Sequence, residues 1–153
     1  MPLQKLFSVS REETEMFRTG HGYDVHRFGG SKPLYLGCVK FDSSLSLLAH
    51  SDGDVVSHAI CDSLLGAAGL RDIGHQFPDN DDRFENISGA SLLGLTNKLI
   101  KEKGYSVSSI DVTIVAEKPK MAGNIINMIK AVSEALETDE DTINIKATTE
   151  EGL

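Results

Sequence analysis

Apolar residues recur at helical spacing in three stretches of the chain. The clearest predicted helix covers residues 51–68, with Ser51 as its N-cap and Asp54 three residues later, a variant of the capping box. Two further helices are predicted over residues 88–103 and 120–136, where apolar residues again return every three or four positions. Three amphipathic helices of this length need a common partner surface to cover their apolar faces.

Extended segments alternate with these helices along the chain. Strands are predicted over residues 19–26, 34–41, 110–116 and 142–148. In these segments apolar residues alternate with polar ones, or turn clusters mark the ends of the segment. This order of strands and helices predicts an α+β fold, with a mixed β-sheet and helices packed on one of its faces.

Length and charge narrow the classes of protein to consider. The chain has 153 residues, which fits one domain. Its net charge of −8 and the lack of a long basic cluster argue against nucleic-acid binding.

No apolar run approaches the roughly 20 residues of a membrane-spanning helix. Acidic residues early in the chain argue against a signal or transit peptide. We therefore expect residues 1–19 to be an extension, disordered or with a short helical turn, before a single domain over residues 20–153.

Asp24 and His26 form the first candidate metal pair. They stand two residues apart on a predicted extended segment, which places both side chains on one face, close enough to share a metal. His58 is a third candidate, with Asp54 and Asp62 one helical turn before and after it. A carboxylate at that spacing can orient a metal-bound imidazole. The alternative, a solvated charged stripe on the helix, is favoured by spacing alone because metal sites are rare.

The chemistry of this set favours a catalytic metal. One carboxylate and two imidazoles leave a fourth position open, as in catalytic rather than structural zinc sites. Zinc suits these ligands better than manganese or iron.

Three other segments are candidates for phosphate binding. Residues 50–54 open the first predicted helix, whose N–H groups and dipole attract anions, and His50 can add a hydrogen bond; a plain helix cap is the alternative. Residues 146–151 place two threonine hydroxyls and an acid at a strand end, which suits phosphate and Mg²⁺; simple β-propensity is the alternative. Residues 118–121 follow another strand, where ligands commonly bind; an exposed basic turn is the alternative.

Taken together, these segments resemble one known family. Six blocks occur in the order found in 2-C-methyl-D-erythritol 2,4-cyclodiphosphate synthases, and the resemblance covers residues 20–153. The blocks are GHGYDVHRF (residues 20–28), LAHSDGD (48–54), DIG (72–74), FPD (77–79), KPKM (118–121) and KATT (146–149).

The resemblance implies an enzyme of non-mevalonate isoprenoid biosynthesis, a phosphorus–oxygen lyase. Its substrate is 4-diphosphocytidyl-2-C-methyl-D-erythritol 2-phosphate, which cyclises to 2-C-methyl-D-erythritol 2,4-cyclodiphosphate with release of CMP. Two alternatives stay open: a metal-dependent phosphohydrolase, and an inactive, metal-stabilised protein that binds cytidine nucleotides.

The resemblance also implies roles for individual residues. Asp24, His26 and His58 resemble the ligands of Zn²⁺, or of another divalent transition metal, and Glu151 resembles a ligand of Mg²⁺ or Mn²⁺. His50 and Thr149 resemble the catalytic residues that stabilise the transition state. The implied substrate-binding residues are Asp24, Val25, His26, His50, Ser51, Asp72, Ile73, Gly74, Phe77, Pro78, Asp79, Asn80, Asp81, Ala116, Glu117, Lys118, Pro119, Lys120, Met121, Ala122, Thr148, Thr149, Glu150 and Glu151.

Assembly and location follow from the same resemblance. It implies a homotrimer with active sites between neighbouring subunits, the zinc ligands coming from one chain and the cytidine pocket from the next. It implies a bacterial cytoplasm, with a plastid as the alternative. Family members continue with a Gly-Phe-x-Gly-Arg-x-Glu-Gly segment, a strand and a helix, so we expect the domain to be truncated at Leu153.

Overall fold

The computed structural model describes residues 16–152, and most of the predicted N-terminal extension lies outside them. Strands and helices alternate as an α+β fold. Within the described part, no helix is both long and apolar enough to cross a membrane. In chain order the elements are β1 (Tyr35–Leu36), β2 (Val39–Lys40), α1 (Val55–Ala68), α2 (Ile73–Gln76), a 3₁₀ turn (Asp82–Phe84), α3 (Gly89–Glu102), β3 (Ile110–Val115), α4 (Ile125–Leu136), a 3₁₀ turn (Glu140–Thr142) and β4 (Ile143–Thr148).

Strands β3 and β4 lie side by side in parallel, with α4 as the connection between them. Their register runs from Ile110 opposite Ile143 to Val115 opposite Thr148. Alternate residues point to opposite faces, and the buried ones meet the helices in the core. The prediction of helices on one face of the sheet is therefore confirmed. Because the strands are parallel, their carboxyl ends meet at one edge.

The predicted single mixed sheet is wrong for the described residues. They contain two separate two-stranded sheets, the antiparallel β1–β2 pair and the parallel β3–β4 pair. The predicted strand over residues 34–41 is in fact the β1–β2 hairpin, because Gly37 and Cys38 both adopt left-handed backbone angles, with φ of 55° and 65°. The carboxylate of Asp54 accepts both N–H groups and holds this turn against α1.

Residues 19–26 do not form the predicted strand. The segment is extended, with Asp24 and His26 more buried than their neighbours, but it has no paired strand within the described chain. It lies directly on α1 instead. A Cβ added to Gly20 or Gly22 would stand 1.8 Å from the carbonyl oxygen of Ser63 or Ala59, so only glycine permits this backbone contact.

Two helices begin later than predicted. Helix α1 begins at Val55 rather than residue 51, because Asp54 is the N-cap and accepts the Ser57 N–H at 3.1 Å. Helix α4 begins at Ile125 rather than residue 120. Met121 lies within a turn before the helix, and its side chain is buried in the core.

The prediction for α3 is right to within one residue at each end. Ser88 is its N-cap and accepts the Ser91 N–H, as a serine before an apolar periodic run predicts.

Candidate metal centre and phosphate-binding residues

The three candidate metal ligands converge at one point, which we call the metal cluster. Asp24 Oδ2 lies 3.1 Å from His26 Nδ1 and 3.1 Å from His58 Nδ1. One ligand atom from each residue falls within 4.8 Å of the others. Zinc–ligand bonds of about 2.0–2.1 Å in a tetrahedron place ligand atoms roughly 3.3 Å apart, which matches this spacing. The extended segment supplies two ligands and α1 the third.

The Nδ1 atom of His26 bears on whether the metal cluster fits a metal ion. This atom is buried and has no hydrogen-bond partner among the described residues, although Asp24 Oδ2 is 3.1 Å away. Leaving a buried polar atom unpaired costs free energy. A metal ion that accepts electron density from this nitrogen removes the cost, so the residues fit a bound metal.

Electrostatics favour the charged form of the carboxylate. Burial alone would raise the pKa of Asp24, but the hydrogen bond with His58 and the two imidazoles outweigh it, and the pKa is lowered. Burial alone would lower the pKa of His58, but the hydrogen bond to Asp24 and the charges of Asp24, Asp54 and Asp52 raise it. The lowered pKa of Asp24 and the raised pKa of His58 have one cause, the contact between the two side chains.

Ser51, rather than a carboxylate of the helix, contacts the far side of His58. Its Oγ lies 3.2 Å from His58 Nε2 and accepts the Gly53 N–H at 3.1 Å. With Nδ1 as the metal ligand, Nε2 would carry the proton and donate a hydrogen bond to the Ser51 Oγ. The prediction that Asp54 or Asp62 orients this ring is wrong. The Asp54 carboxylate accepts hydrogen bonds from the turn between β1 and β2 and from Ser57. The Asp62 carboxylate accepts the Ile73 N–H at 2.7 Å. The sequence singled out Ser51 but gave no signal for its contact with His58, because a loop separates Ser51 from the helix that carries His58.

The N-terminus of α1 is not the open anion site that the sequence predicted. Asp54 fills it, with no solvent exposure and four hydrogen bonds, from Gly37, Cys38 and twice from Ser57. In the loop before α1, the side chain of His50 is exposed and that of Ser51 is half-buried.

Residues 72–81 are only partly available for a substrate. Asp72 is the exposed N-cap of α2, and its Oδ1 accepts the His75 N–H at 2.8 Å. The Ile73 N–H is already bonded to Asp62. Phe77 is 7% exposed and packs edge-on against Phe84, so its ring belongs to the core. Of the other predicted residues, Gly74, Asp79 and Asn80 are exposed, Pro78 is half-buried and Asp81 pairs with Arg83.

The remaining predicted residues meet at the carboxyl ends of β3 and β4, which we call the strand ends. The Ala116 N–H donates to the Thr148 carbonyl at 3.0 Å, and the Gly152 N–H donates to Glu117 Oε1 at 3.2 Å. Parallel pairing thus brings together two segments that are 33 positions apart in the register. The strand ends comprise Ala116, Glu117, Lys118, Pro119, Lys120, Met121, Ala122, Thr148, Thr149, Glu150 and Glu151.

Most side chains of the strand ends face solvent. Lys118, Lys120, Thr149 and Glu151 are exposed, whereas Met121 is buried. Among residues 16–152, no hydrogen bond or ion pair connects the strand ends to the metal cluster. The sequence-predicted site therefore falls into two separate groups within the chain.

Comparison with known proteins identifies the family. Residues 17–153 match the model described as the YgbB family. The 2-C-methyl-D-erythritol 2,4-cyclodiphosphate synthase of Clostridium beijerinckii is 55% identical over 136 residues, which cover 89% of this chain and 86% of that protein. A solved 2C-methyl-D-erythritol-2,4-cyclodiphosphate synthase with CDP bound has a TM-score of 0.83 and 34% identity, covering 89% of this chain and 91% of that one. The bifunctional IspDF of Campylobacter jejuni has a TM-score of 0.85 and 42% identity; the match covers 89% of this chain but only 37% of that one. The chain therefore belongs to the YgbB family, in which its curated relatives are named 2-C-methyl-D-erythritol 2,4-cyclodiphosphate synthases.

Proposed function

We propose that this chain converts 4-diphosphocytidyl-2-C-methyl-D-erythritol 2-phosphate to 2-C-methyl-D-erythritol 2,4-cyclodiphosphate and CMP. An oxygen of the 2-phosphate attacks the β-phosphorus, and the bond from that phosphorus to the bridging oxygen breaks. CMP leaves with the bridging oxygen, and no water enters. The observation that carries the proposal is the convergence of Asp24, His26 and His58 in a chain 55% identical to a synthase of that name.

The metal cluster would hold one divalent ion, for which zinc fits best because the ligands are two imidazoles and one carboxylate. Such an ion withdraws charge from a phosphate oxygen and orients the reacting group. Ser51 keeps the His58 ring in one orientation through Nε2. The exposed imidazole of His50 stands in the same loop and is proposed to stabilise charge on the reacting phosphate.

The strand ends would hold the cytidine diphosphate half of the substrate. Exposed lysines and a threonine hydroxyl at the ends of parallel strands suit a nucleotide. Thr149 is proposed to donate a hydrogen bond to the diphosphate, and Glu151 to bind Mg²⁺ or Mn²⁺ between its phosphates. Asp72, an exposed carboxylate, suits the ribose hydroxyls.

We infer that the working unit is a homotrimer in the bacterial cytoplasm, in which the metal cluster of one chain faces the strand ends of the next. The lack of any bond between the two groups within the described chain supports this arrangement. Mixing inactive His58→Ala and Thr149→Ala chains tests it. If the site is shared, random reassembly restores about a quarter of wild-type activity, because a quarter of the sites take both intact halves. No recovery would mean that each chain carries a whole site.

The activity test is a direct product analysis. The protein with zinc and Mg²⁺ is incubated with the cytidyl substrate and followed by ³¹P NMR. Equal amounts of CMP and the cyclic diphosphate are expected. Release of inorganic phosphate instead would favour the phosphohydrolase alternative. Binding of CDP without turnover would favour the inactive nucleotide-binding alternative.

A further inference from the structure

The side chain of Lys32 is bonded to the loop that carries His50 and Ser51. Its Nζ lies 2.6 Å from the Ser51 carbonyl oxygen, 3.1 Å from that of His50 and 3.3 Å from that of Ala49. The side-chain oxygen of Asn86 is a fourth acceptor, at 3.0 Å. An ammonium has three hydrogens and no acceptor, so all its donors are used within this ring of oxygens.

The backbone of Lys32 is fixed independently of its ammonium. The Ser46 hydroxyl donates to the Lys32 carbonyl at 2.5 Å, and the Gly29 N–H donates to the Ser46 carbonyl at 3.0 Å. A Cβ on Gly30 would lie 2.1 Å from the Leu47 carbonyl oxygen, so the two segments are in direct backbone contact. The backbone of Lys32 is therefore held in place by other contacts, and its ammonium group approaches the loop from a defined position.

The loop needs such a partner because it has no regular structure of its own. Residues 49–51 belong to no helix or strand, so their carbonyls have no ladder partners. Three consecutive carbonyl oxygens gathered around one point repel one another unless a cation lies between them. Lys32 supplies that cation while Ser51 Oγ stays 3.2 Å from His58 Nε2.

We propose that Lys32 is a positioning residue, which through the carbonyls of residues 49–51 sets where His50 and Ser51 stand relative to His58. This inference rests on the proposed cyclisation, since it assigns Lys32 a part in presenting those side chains to the reacting phosphate. A compact ammonium fits a ring of carbonyls, whereas the planar guanidinium of arginine does not. Charge alone is therefore not enough at this position.

Two variants and one control test the proposal. Lys32→Met keeps a stem of similar length and removes the charge, and Lys32→Arg keeps the charge and changes its shape. Lys40→Met removes an exposed lysine of β2 as the control. We expect both Lys32 variants to keep wild-type zinc content, to lose about 10- to 100-fold in kcat with little change in KM, and to exchange the amide hydrogens of residues 49–53 faster. Lys40→Met should match the wild type throughout.

A double-mutant cycle separates positioning from a general structural role. Because Lys32 is proposed to act through His50 and Ser51, Lys32→Arg should lower kcat much less in a background that carries both His50→Ala and Ser51→Ala than in the wild type. Equal costs in both backgrounds, or wild-type kcat in both Lys32 variants, would overturn the proposal. If Lys32→Met fails to fold, Lys32→Arg carries the test alone, because it leaves the carbonyls with a cation. Failure of the proposed function is distinguishable: the wild-type protein itself would then release no CMP.

Discussion

The metal cluster and the strand ends differ in how much of each site the chain has already built. Around the metal cluster, His58 is buried, Asp24 bonds His58, Ser51 contacts its far side and Asp54 fixes the start of its helix. At the strand ends, Thr149 and Glu151 face solvent and make only weak local contacts. The first group is preorganised by tertiary contacts within the chain, whereas few such contacts fix the side chains of the second. The two should therefore respond to mutation in different ways.

Loss of a metal ligand should have the largest effect on activity. His58→Ala removes one of three ligands, so we expect zinc content near zero and a fall in kcat/KM of about 1,000-fold or more. Zinc analysis and the CMP-release assay measure both. His75→Ala, which removes an exposed histidine of α2, is the control and should change neither. Full zinc content in His58→Ala would break the assignment of the cluster.

Loss of the buried cap should have the largest effect on stability. Asp54→Ala leaves the N–H groups of Gly37 and Cys38 and the Ser57 hydroxyl without an acceptor and removes the cap of α1. We expect the free energy of unfolding in urea to fall by about 3 kcal/mol or more. Asp139→Ala is the control, because Asp139 is exposed and makes no side-chain cap bond. Similar losses in both variants would contradict the structural role of Asp54.

A change at the strand ends should lower activity without changing stability or zinc content. Glu151→Gln keeps the shape of an exposed side chain and removes the charge that would bind Mg²⁺. We expect kcat to fall about 10- to 100-fold and the Mg²⁺ concentration for half-maximal rate to rise. Glu140→Gln, at another exposed glutamate, should behave as the wild type. If Glu151→Gln lowered thermal stability along with activity, the difference drawn here between the strand ends and the metal cluster would be contradicted.

The smallest effect expected at neutral pH concerns the buried side of α1. Burial raises the pKa of the Cys61 thiol to about 12. The unfolded chain loses this proton near pH 9 and the folded chain does not, so stability is lost as pH rises between 9 and 12, by at most about 1.4 kcal/mol per pH unit for this thiol. Urea unfolding of the wild type and Cys61→Ala should therefore give a shallower pH slope for the variant. Below pH 8 the two slopes should coincide, and equal slopes above pH 9 would contradict the burial of this thiol.

Local sequence patterns predicted the elements whose causes are local. Helix α3 matches its predicted bounds to within one residue at each end, and β3 and β4 begin within one residue of the predicted positions. Errors arose where a distant contact decides the outcome. Asp54 became the cap of α1 because it also bonds the Gly37–Cys38 turn, which no spacing within the helix indicates.

The sequence by itself determined the α+β class, the helix-against-sheet arrangement and the family, because hydrophobic period and ordered motifs record which residues must be buried and which must carry chemistry. It also selected Asp24, His26 and His58 as a set. Only the tertiary structure decided that the three meet within 4.8 Å, that Ser51 rather than a carboxylate holds His58, and that Lys32 reaches the loop before α1. The physical reason is that contacts between residues of different segments follow no helical or strand period, and they exist only once the chain has folded.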